Sequence, residues 1–361
     1  MRALHTIDTL WLGGAQTILK SLFEKQAANY DIFLFSLRKT NPQIEISHKN
    51  VKCFNSKYKL SIARIFSLKK FIKTNNIDVL HCHLPHSQTM GYLMKKLFFS
   101  NIKLVFHEHA EIYNKGKILP FLIKKYRKKV DVFISCSEAS KQMLHKKTNV
   151  AQNKIIVLNN FVDIQKFNTD FRDVKIKEEL KIKGFIVGFA GRIIERKGWR
   201  ELIEAATILK NNTDIKFLIV GVGPDQNKMI RKIEQHGLND TVFYKGYMSD
   251  MKWFYSIIDC FVLPSYWEGL AMVQLESMAL GIPLICSDAP GVNEVPENKI
   301  DSLFVKPKSG KDLANKISVL KNNSELYESI SEKAKNKATF YSIENYLKSL
   351  NNIYRNTLYC I

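Results

Sequence analysis

The sequence has no hydrophobic run of membrane-spanning length. Its longest apolar stretches, such as residues 257–264, fall well short of the roughly 20 residues that a spanning helix needs. The first residues, Met1-Arg2-Ala3-Leu4-His5-Thr6-Ile7, lack the extended apolar core and small-residue cleavage site of a signal peptide and read as a strand. Cysteine is sparse and unpaired: Cys53, Cys82, Cys136, Cys260, Cys286 and Cys360 include no CxxC pair. Several lie in apolar strand patterns, which points to buried, reduced thiols and a cytoplasmic protein. Repeats and low-complexity tracts are absent. Acid is short in one half: residues 1–160 hold 27 Lys and Arg against 9 Asp and Glu, a net of +18, which leaves +3 for the remainder of a +21 chain. A lysine-rich composition explains many of the lysines but not the missing acids, so the two halves are expected to meet different partners.

What is present is globular and long enough for two domains: 361 residues, 45% of them apolar. Short apolar runs alternate with helical patterns. Residues 2–8 read as a strand, 13–29 as a helix opened by Gly13-Gly14-Ala15, 31–37 as a strand and 62–74 as an amphipathic helix ended by Asn75-Asn76. A strand at 77–82, a helix at 87–99 and strands at 103–107 and 130–136 follow. Residues 155–167 look like a connector, followed by a polar stretch at 168–183. The βα pattern then restarts with strands at 185–190, 215–220, 242–244 and 260–264, and helices at 199–210, 226–236 and 250–257. Residues 342–359 read as a last helix. The expected class is α/β, two Rossmann-like domains with parallel sheets.

Candidate chemistry gathers at strand ends. Glu268 lies in a turn-like loop beside Gly269, and Glu276 lies in a helix whose other positions, Leu275, Met278 and Ala279, are apolar. A carboxylate there packs poorly but grips sugar hydroxyls well, which suggests a sugar nucleotide. Between Gly191 and Gly198, Arg192 and Lys197 follow a strand directly and suit a diphosphate clamp, against the plainer reading of a solvated basic loop. Gly221-Val222-Gly223-Pro224 permits a close backbone approach. Gly13-Gly14 opens a helix, where phosphate is favoured, although a tight turn explains the pair equally well. No third glycine completes dinucleotide spacing, so a nicotinamide site is not expected.

Histidines cluster twice: His81, His83 and His86 around one strand end, and His107 and His109 around Glu108 at the next. His-x-His in a strand puts both rings on one face, an arrangement that invites zinc. No carboxylate or cysteine at ligand spacing completes a set, so no metal is expected, and the histidines read as cleft residues able to bond sugar or phosphate. Residues 115–129 place Phe121, Leu122, Ile123 and Tyr126 among a dense basic face, which suits either an interfacial helix on anionic lipid or a surface helix packed on the sheet. Residues 92–99, with Lys95-Lys96 and Phe98-Phe99, extend this pattern. No nucleic-acid motif is present, so nucleic acid is not an expected partner.

Across essentially its whole length, and most specifically in its C-terminal half, the chain resembles a GT-B-fold retaining glycosyltransferase of family 4, the group that includes many builders of capsular polysaccharide, exopolysaccharide and lipopolysaccharide. Gly191-Arg192 with Lys197-Gly198, Gly221-x-Gly223-Pro224, Pro264-Ser265, the E-x7-E pair Glu268 and Glu276, Gly281-x-Pro283 and Gly291-x-x-Glu294 carry the resemblance. It implies that Arg192 and Lys197 bind the donor diphosphate and that Glu276 takes the ribose hydroxyls. Glu268 would contact the transferred sugar, helped by the backbone N–H groups of Gly269 and Leu270. Gly13-Gly14 then corresponds to the glycine loop near the phosphates, and His109, with His107 as rival, to the histidine near the reaction centre. Ser137-Glu138 and residues 160–163 correspond to the end of the first domain and the linker.

Two departures stand out: Asn159-Asn160 replaces the usual Asn-Gly, a turn that asparagine tolerates, and Trp267 precedes Glu268 where members vary. The domains are accordingly set at 1–165 for acceptor and 166–340 for nucleotide sugar, with 341–361 a helix crossing back to the first. The implied activity is metal-independent, cofactor-free transfer from a nucleoside-diphosphate sugar, UDP-sugar first, to a lipid-linked or growing saccharide, with the basic half on the inner face of the membrane. Both glutamates are expected to act ionised, as hydrogen-bond acceptors, and neither needs a shifted pKa for that role. A nucleotide-sugar 2-epimerase of the same fold, or a non-catalytic basic scaffold, are the alternatives.

Overall fold

Parallel strands that are covered on both faces account for the near-continuous apolar runs, because each strand must bury both rows of its side chains. The computed structural model describes residues 1–11, 13–25, 31–39, 44–55, 61–109, 116, 118–179 and 183–359. They form two units, Met1–Asn160 with Ile343–Ile361, and Phe161–Ser342. The end of the helix expected at 13–29, Lys115 and Lys117 of the basic segment, and Cys360 fall outside the described residues.

The first unit runs β1 (Arg2–Thr9), α1 (Gly14–Lys25), β2 (Asp31–Arg38), β3 (Val51–Cys53), α2 (Ile62–Thr74), β4 (Val79–His83), α3 (Pro85–Leu97), β5 (Lys103–Glu108), α4 (Ile118–Tyr126), β6 (Val132–Ser135), α5 (Glu138–Thr148) and β7 (Ile155–Val157). The second runs α6 (Val174–Glu179), β8 (Phe185–Ala190), α7 (Trp199–Ile208), β9 (Ile215–Val220), α8 (Gln226–Gln235), β10 (Val242–Tyr244), α9 (Met251–Ile257), β11 (Cys260–Leu263), α10 (Met272–Ala279), β12 (Leu284–Ser287), β13 (Ser302–Val305), α11 (Gly310–Lys321) and α12 (Ser324–Ala338). The last helix, α13 (Ile343–Tyr359), belongs to the first unit. Sheet orders are β3-β2-β1-β4-β5-β6-β7 and β10-β9-β8-β11-β12-β13, and the pairs are parallel. The architecture is therefore α/β with two Rossmann-like parallel sheets, as expected. Strand order reverses between β1 and β4 and between β8 and β11, so loops leaving these strands part and open a crevice at their carboxyl ends.

Capping chemistry sets several helix ends. Ser137 accepts from Ser140 N at the start of α5, Asp250 from Lys252 N at α9 and Asn323 from Leu326 N at α12. Pro85 begins α3, whose first amides are taken by Asp8: His86 N and Ser87 N donate to its carboxylate at 3.2 and 2.7 Å. The second sheet is apolar on both sides, with Phe254, Phe261 and Leu275 in one layer and Phe189, Trp199 and Phe217 in the other. The first sheet is different. Leu4, Leu80, Cys82, Leu104 and Phe106 enter an apolar layer, while the alternate positions His5, His81, His83 and His107 are equally buried.

The structure adds elements that the sequence reading lacked. The connector expected at 155–167 begins as an edge strand, β7, and the polar stretch after it carries α6. Both β3 and β7 are three residues long, too short for an alternating pattern to declare itself. Neither Asn159 nor Asn160 has the positive φ anticipated for the linker turn. The last helix turns Ile343, Tyr346, Leu347, Leu350, Ile353 and Tyr354 inward. Leu350 is fully buried, so Leu350→Ala should cost about 2–5 kcal/mol. In calorimetry the transition of the first unit should move down and that of the second stay, and the reverse would place α13 with the wrong unit.

Candidate active site

In the second unit the two loops at the strand-order reversal are locked together by backbone. After β8, residues Glu195–Lys197 form a single 3-10 turn closed by Gly198 at φ 74°. A side chain on Gly198 would be strained at that φ and would strike the carbonyl oxygen of Pro264, in the loop after β11. Tyr266 N donates to the Arg196 carbonyl at 2.8 Å across the same seam. Gly291, at φ 73°, lies so close to the Glu268 carbonyl that a Cβ would collide with it, and Glu268 N donates to Pro290 O at 3.1 Å. Glu268 is thus fixed from both sides through its main chain.

Its side chain is fixed by charge. Lys197 Nζ lies 2.7 Å from Glu268 Oε1, and an Arg196 terminal nitrogen lies 3.2 Å from Oε2, with the carboxylate 7% exposed. Arg196 also donates to the Trp267 carbonyl at 3.2 Å and lies over the Trp267 ring, 4.2 Å from its centroid. Burial alone would raise the Glu268 pKa; Lys197 and Arg196 outweigh it and hold the carboxyl below its ordinary value. Glu276, on α10, goes the other way. Burial raises it, and the Tyr255 hydroxyl, which donates to Oε2 at 2.7 Å, offsets this only in part. The two carboxylates therefore stand in different surroundings: one is held by cations and the other chiefly by apolar helix neighbours and one phenol.

The remaining expected donor residues are placed as follows. Arg192 is exposed on the loop after β8, and its guanidinium makes no hydrogen bond or ion pair with a described residue. Gly223 packs on the same loop, where a Cβ would strike the Ile193 carbonyl, and Asp225 N donates to that carbonyl at 3.1 Å. Gly269 and Leu270 are buried between β11 and α10. Sequence reasoning missed Arg196, whose only signal was its adjacency to Lys197, and Tyr255, which has no motif around it.

In the first unit, Gly13 and Gly14 are exposed at the start of α1, and Thr17 N donates to Gly13 O at 3.0 Å. His109 follows β5 and is partly exposed; His107, its rival, is fully buried. The two rings stack at 4.1 Å. His83 Nδ1 meets His109 Nε2 at 2.9 Å, His5 Nδ1 meets His83 Nε2 at 2.9 Å, and His81 Nε2 meets His107 Nδ1 at 3.2 Å. Tyr354 closes the set from α13, its hydroxyl 2.5 Å from His81 Nδ1 and 3.3 Å from His5 Nε2. His86 stands apart, on α3. His5 was not foreseen, because strand adjacency and not sequence brings it beside His81.

Comparison with known proteins decides the class. Residues 12–166 match the family Glycosyltransferase Family 4, and residues 170–337 match Glycosyl transferases group 1. The chain carries both domains of a glycosyltransferase. This glycosyltransferase is 29% identical, over 82% of either chain, to the N,N'-diacetylbacillosaminyl-diphospho-undecaprenol alpha-1,3-N-acetylgalactosaminyltransferase of Campylobacter jejuni. It is 27% identical, over 70% of this chain and 68% of the other, to the UDP-Gal:alpha-D-GlcNAc-diphosphoundecaprenol alpha-1,3-galactosyltransferase of Escherichia coli. The crystal structure of Anabaena Alr3699/HepE in complex with UDP and glucose matches with a TM-score of 0.87 at 18% identity, covering 99% of this chain and 100% of that one. At that identity the likeness concerns the fold, which is GT-B.

The histidine layer gives the glycosyltransferase a pH limit. Burial pushes His5 down to about 3 and His109 to about 4, and holds His81, His83 and His107 well below their ordinary value. Unfolded, all five titrate near 6.5. Below that pH the unfolded chain binds protons that the folded chain refuses, so this stability is complete above about 6.5 and is lost as pH falls toward 4. A ring that stays unprotonated in the folded chain removes at most ~1.4 kcal/mol per pH unit below about 6.5. The melting temperature should be flat between about pH 8 and 7 and fall steeply from about 6.5 to 5; a flat profile to pH 5 would contradict neutral buried rings.

Proposed function

We propose that the protein is a retaining glycosyltransferase that moves a hexose-type sugar from a UDP-sugar to a hydroxyl of a lipid-linked saccharide. The observation that carries this reading is the loop after β8, which presents an exposed Arg192, unpaired among the described residues, and a half-buried Lys197 already ion-paired to Glu268. Two relatives named for diphospho-undecaprenol-linked substrates, one of them for UDP-Gal, support the donor and acceptor classes.

In this reading Arg192 takes the donor diphosphate from solvent, and Lys197 bridges it to Glu268. The two cations stabilise charge that grows on the leaving group, so no divalent ion is required there. Glu268, bound by Lys197 and Arg196, is a weak nucleophile and serves as an acceptor for a sugar hydroxyl. Glu276 accepts from ribose, and Tyr255 orients it. Retention then follows from front-side attack through an oxocarbenium-like state, with rate coming from positioning and electrostatics. His109, neutral at pH 7, contributes a hydrogen bond near the reaction centre. The Gly13-Gly14 turn approaches the phosphates.

The acceptor domain binds the anionic inner leaflet, which makes the protein cytoplasmic and peripheral. No helix among the described residues is long and apolar enough to cross a membrane. On α4 the buried positions Leu119, Ile123 and Tyr126 face the core, while Ile118 and Phe121 stay 74% and 66% exposed beside exposed Lys124, Lys125, Lys128 and Lys129. Apolar residues that no neighbour covers, ringed by lysine, suit a lipid interface.

Arg192→Ala should lower kcat by about 10²–10³ while leaving stability within about 0.5 kcal/mol, since the side chain is exposed and unpaired. Lys197→Ala should lose a similar factor in rate and also about 3–5 kcal/mol of stability, because it leaves Glu268 buried with one partner fewer. Near-normal turnover in either sinks the assigned roles, and UDP release with an altered free sugar and no acceptor would favour an epimerase. Co-sedimentation with anionic vesicles at low salt should be lost in Phe121→Asp; equal retention on neutral vesicles would refute the membrane reading.

A further inference from the structure

We propose that His83, His107 and His109 form a mononuclear binding site for a divalent first-row transition metal, Zn²⁺ by preference, with His5, His81 and Tyr354 as its outer shell. The three residues each bring a ring nitrogen within 4.8 Å of the other two. A tetrahedral metal about 2.0–2.1 Å from each nitrogen sets its ligands roughly 3.3 Å apart. The His83 Nδ1 to His109 Nε2 separation of 2.9 Å therefore needs to open by only a few tenths of an ångström.

Hydrogen-bond accounting favours the metal. A neutral imidazole has one N–H and one lone pair. The contacts form a single chain: His109, His83, His5, the Tyr354 hydroxyl, His81, His107. Without a metal the bonds can run in one direction or converge on the Tyr354 hydroxyl from both ends, and in either case His107 Nε2 is left buried and without a partner. With a metal the converging arrangement also places both of its outer ends on the ion. His83 gives Nδ1 to the metal and donates from Nε2 to His5, which donates to Tyr354 Oη. His107 gives Nε2 to the metal and donates from Nδ1 to His81, which donates to the same oxygen. The hydroxyl has two lone pairs for these two donors, and His109 supplies Nε2 as third ligand. No tautomer conflicts, and the orphaned nitrogen acquires its partner.

The donor chemistry agrees with this. Imidazole suits zinc, copper and nickel more than magnesium or calcium. Metal-bound histidines are generally fixed by an acceptor on the other ring nitrogen, which is the part that His5 and His81 play here. Three protein ligands leave a fourth position open on the partly exposed His109 side. The site shares no residue with the cationic loop proposed for the diphosphate, so its test is independent of that assignment.

The test uses the untagged full-length chain, stripped with chelator and dialysed against Zn²⁺ near pH 7.5. About one zinc per chain should be retained, and Co²⁺ in its place should give the visible absorption of a four-coordinate nitrogen site. His107→Ala should retain none. Tyr354→Phe keeps the ring, removes the shared acceptor, and should weaken zinc binding about 10–100-fold. His236→Ala, outside the layer, should bind as the parent does. No stoichiometric zinc in the parent chain, an octahedral cobalt spectrum, or Tyr354→Phe binding with unchanged affinity would each overturn the proposal, whether or not His107→Ala folds.

Discussion

Two reversals of strand order organise this protein. Within each parallel sheet the chain builds outward in one direction from β1 or β8, then returns and builds in the other from β4 or β11. At the return, neighbouring strands send their following helices to opposite faces, so the loops at their carboxyl ends diverge. Much of the chemistry described here sits on those loops or strand ends, with Glu276, Tyr255 and Tyr354 reaching it from helices. Lys197 and Glu268 leave β8 and β11, Gly13 leaves β1, and His83 ends β4. Gly198 and Gly291 are required because the backbone of one loop is seated against another. The ion pairs around Glu268 exist because those seams bring residues 72 and 71 positions apart into contact.

The two units bury polar groups by opposite means. In the second, a carboxylate is kept charged by two cations, an arrangement in which each partner's removal exposes an uncompensated charge. In the first, five imidazoles are kept neutral and share protons along one chain of hydrogen bonds, with Tyr354 as its middle member. The first solution suits a site that must meet a charged ligand. The second places a stack of nitrogen donors beneath one sheet face and ties the final helix to it. Hydrophobic packing alone would not specify where α13 docks; the short Tyr354–His81 contact adds a polar constraint.

Much of the fold was legible. Strands β8, β9 and β10 and helix α2 were placed to the residue, because they are either unbroken apolar runs or a clean amphipathic period with turn residues at their ends. The short strands β3 and β7 were not, nor was α5, whose polar sequence carries little periodicity and is defined by the Ser137 cap and the left-handed Asn149. The candidate site was legible as residue types, with Arg192, Lys197, Glu268, His107 and His109 at or just after strand ends and Glu276 in a helix. Their partners were not. Arg196 drew no reading from the sequence, and only the fold sets Glu268 and Trp267 beside it. Tyr255 has no motif around it, and only the fold brings its hydroxyl to Glu276.

The sequence by itself determined the alternation of strand and helix, the basic first half and the positions of the acidic and cationic residues at loop boundaries. These follow from periodicity and composition, which are local properties. Only the tertiary structure decided that Glu268 and Glu276 have opposite pKa shifts, since a carboxyl's pKa reports the charges and apolar atoms packed around it. Only the tertiary structure joined His5, His81, His83, His107, His109 and Tyr354, because parallel pairing of β1, β4 and β5 stacks residues from three distant segments, and α13 returns a side chain 273 positions after His81.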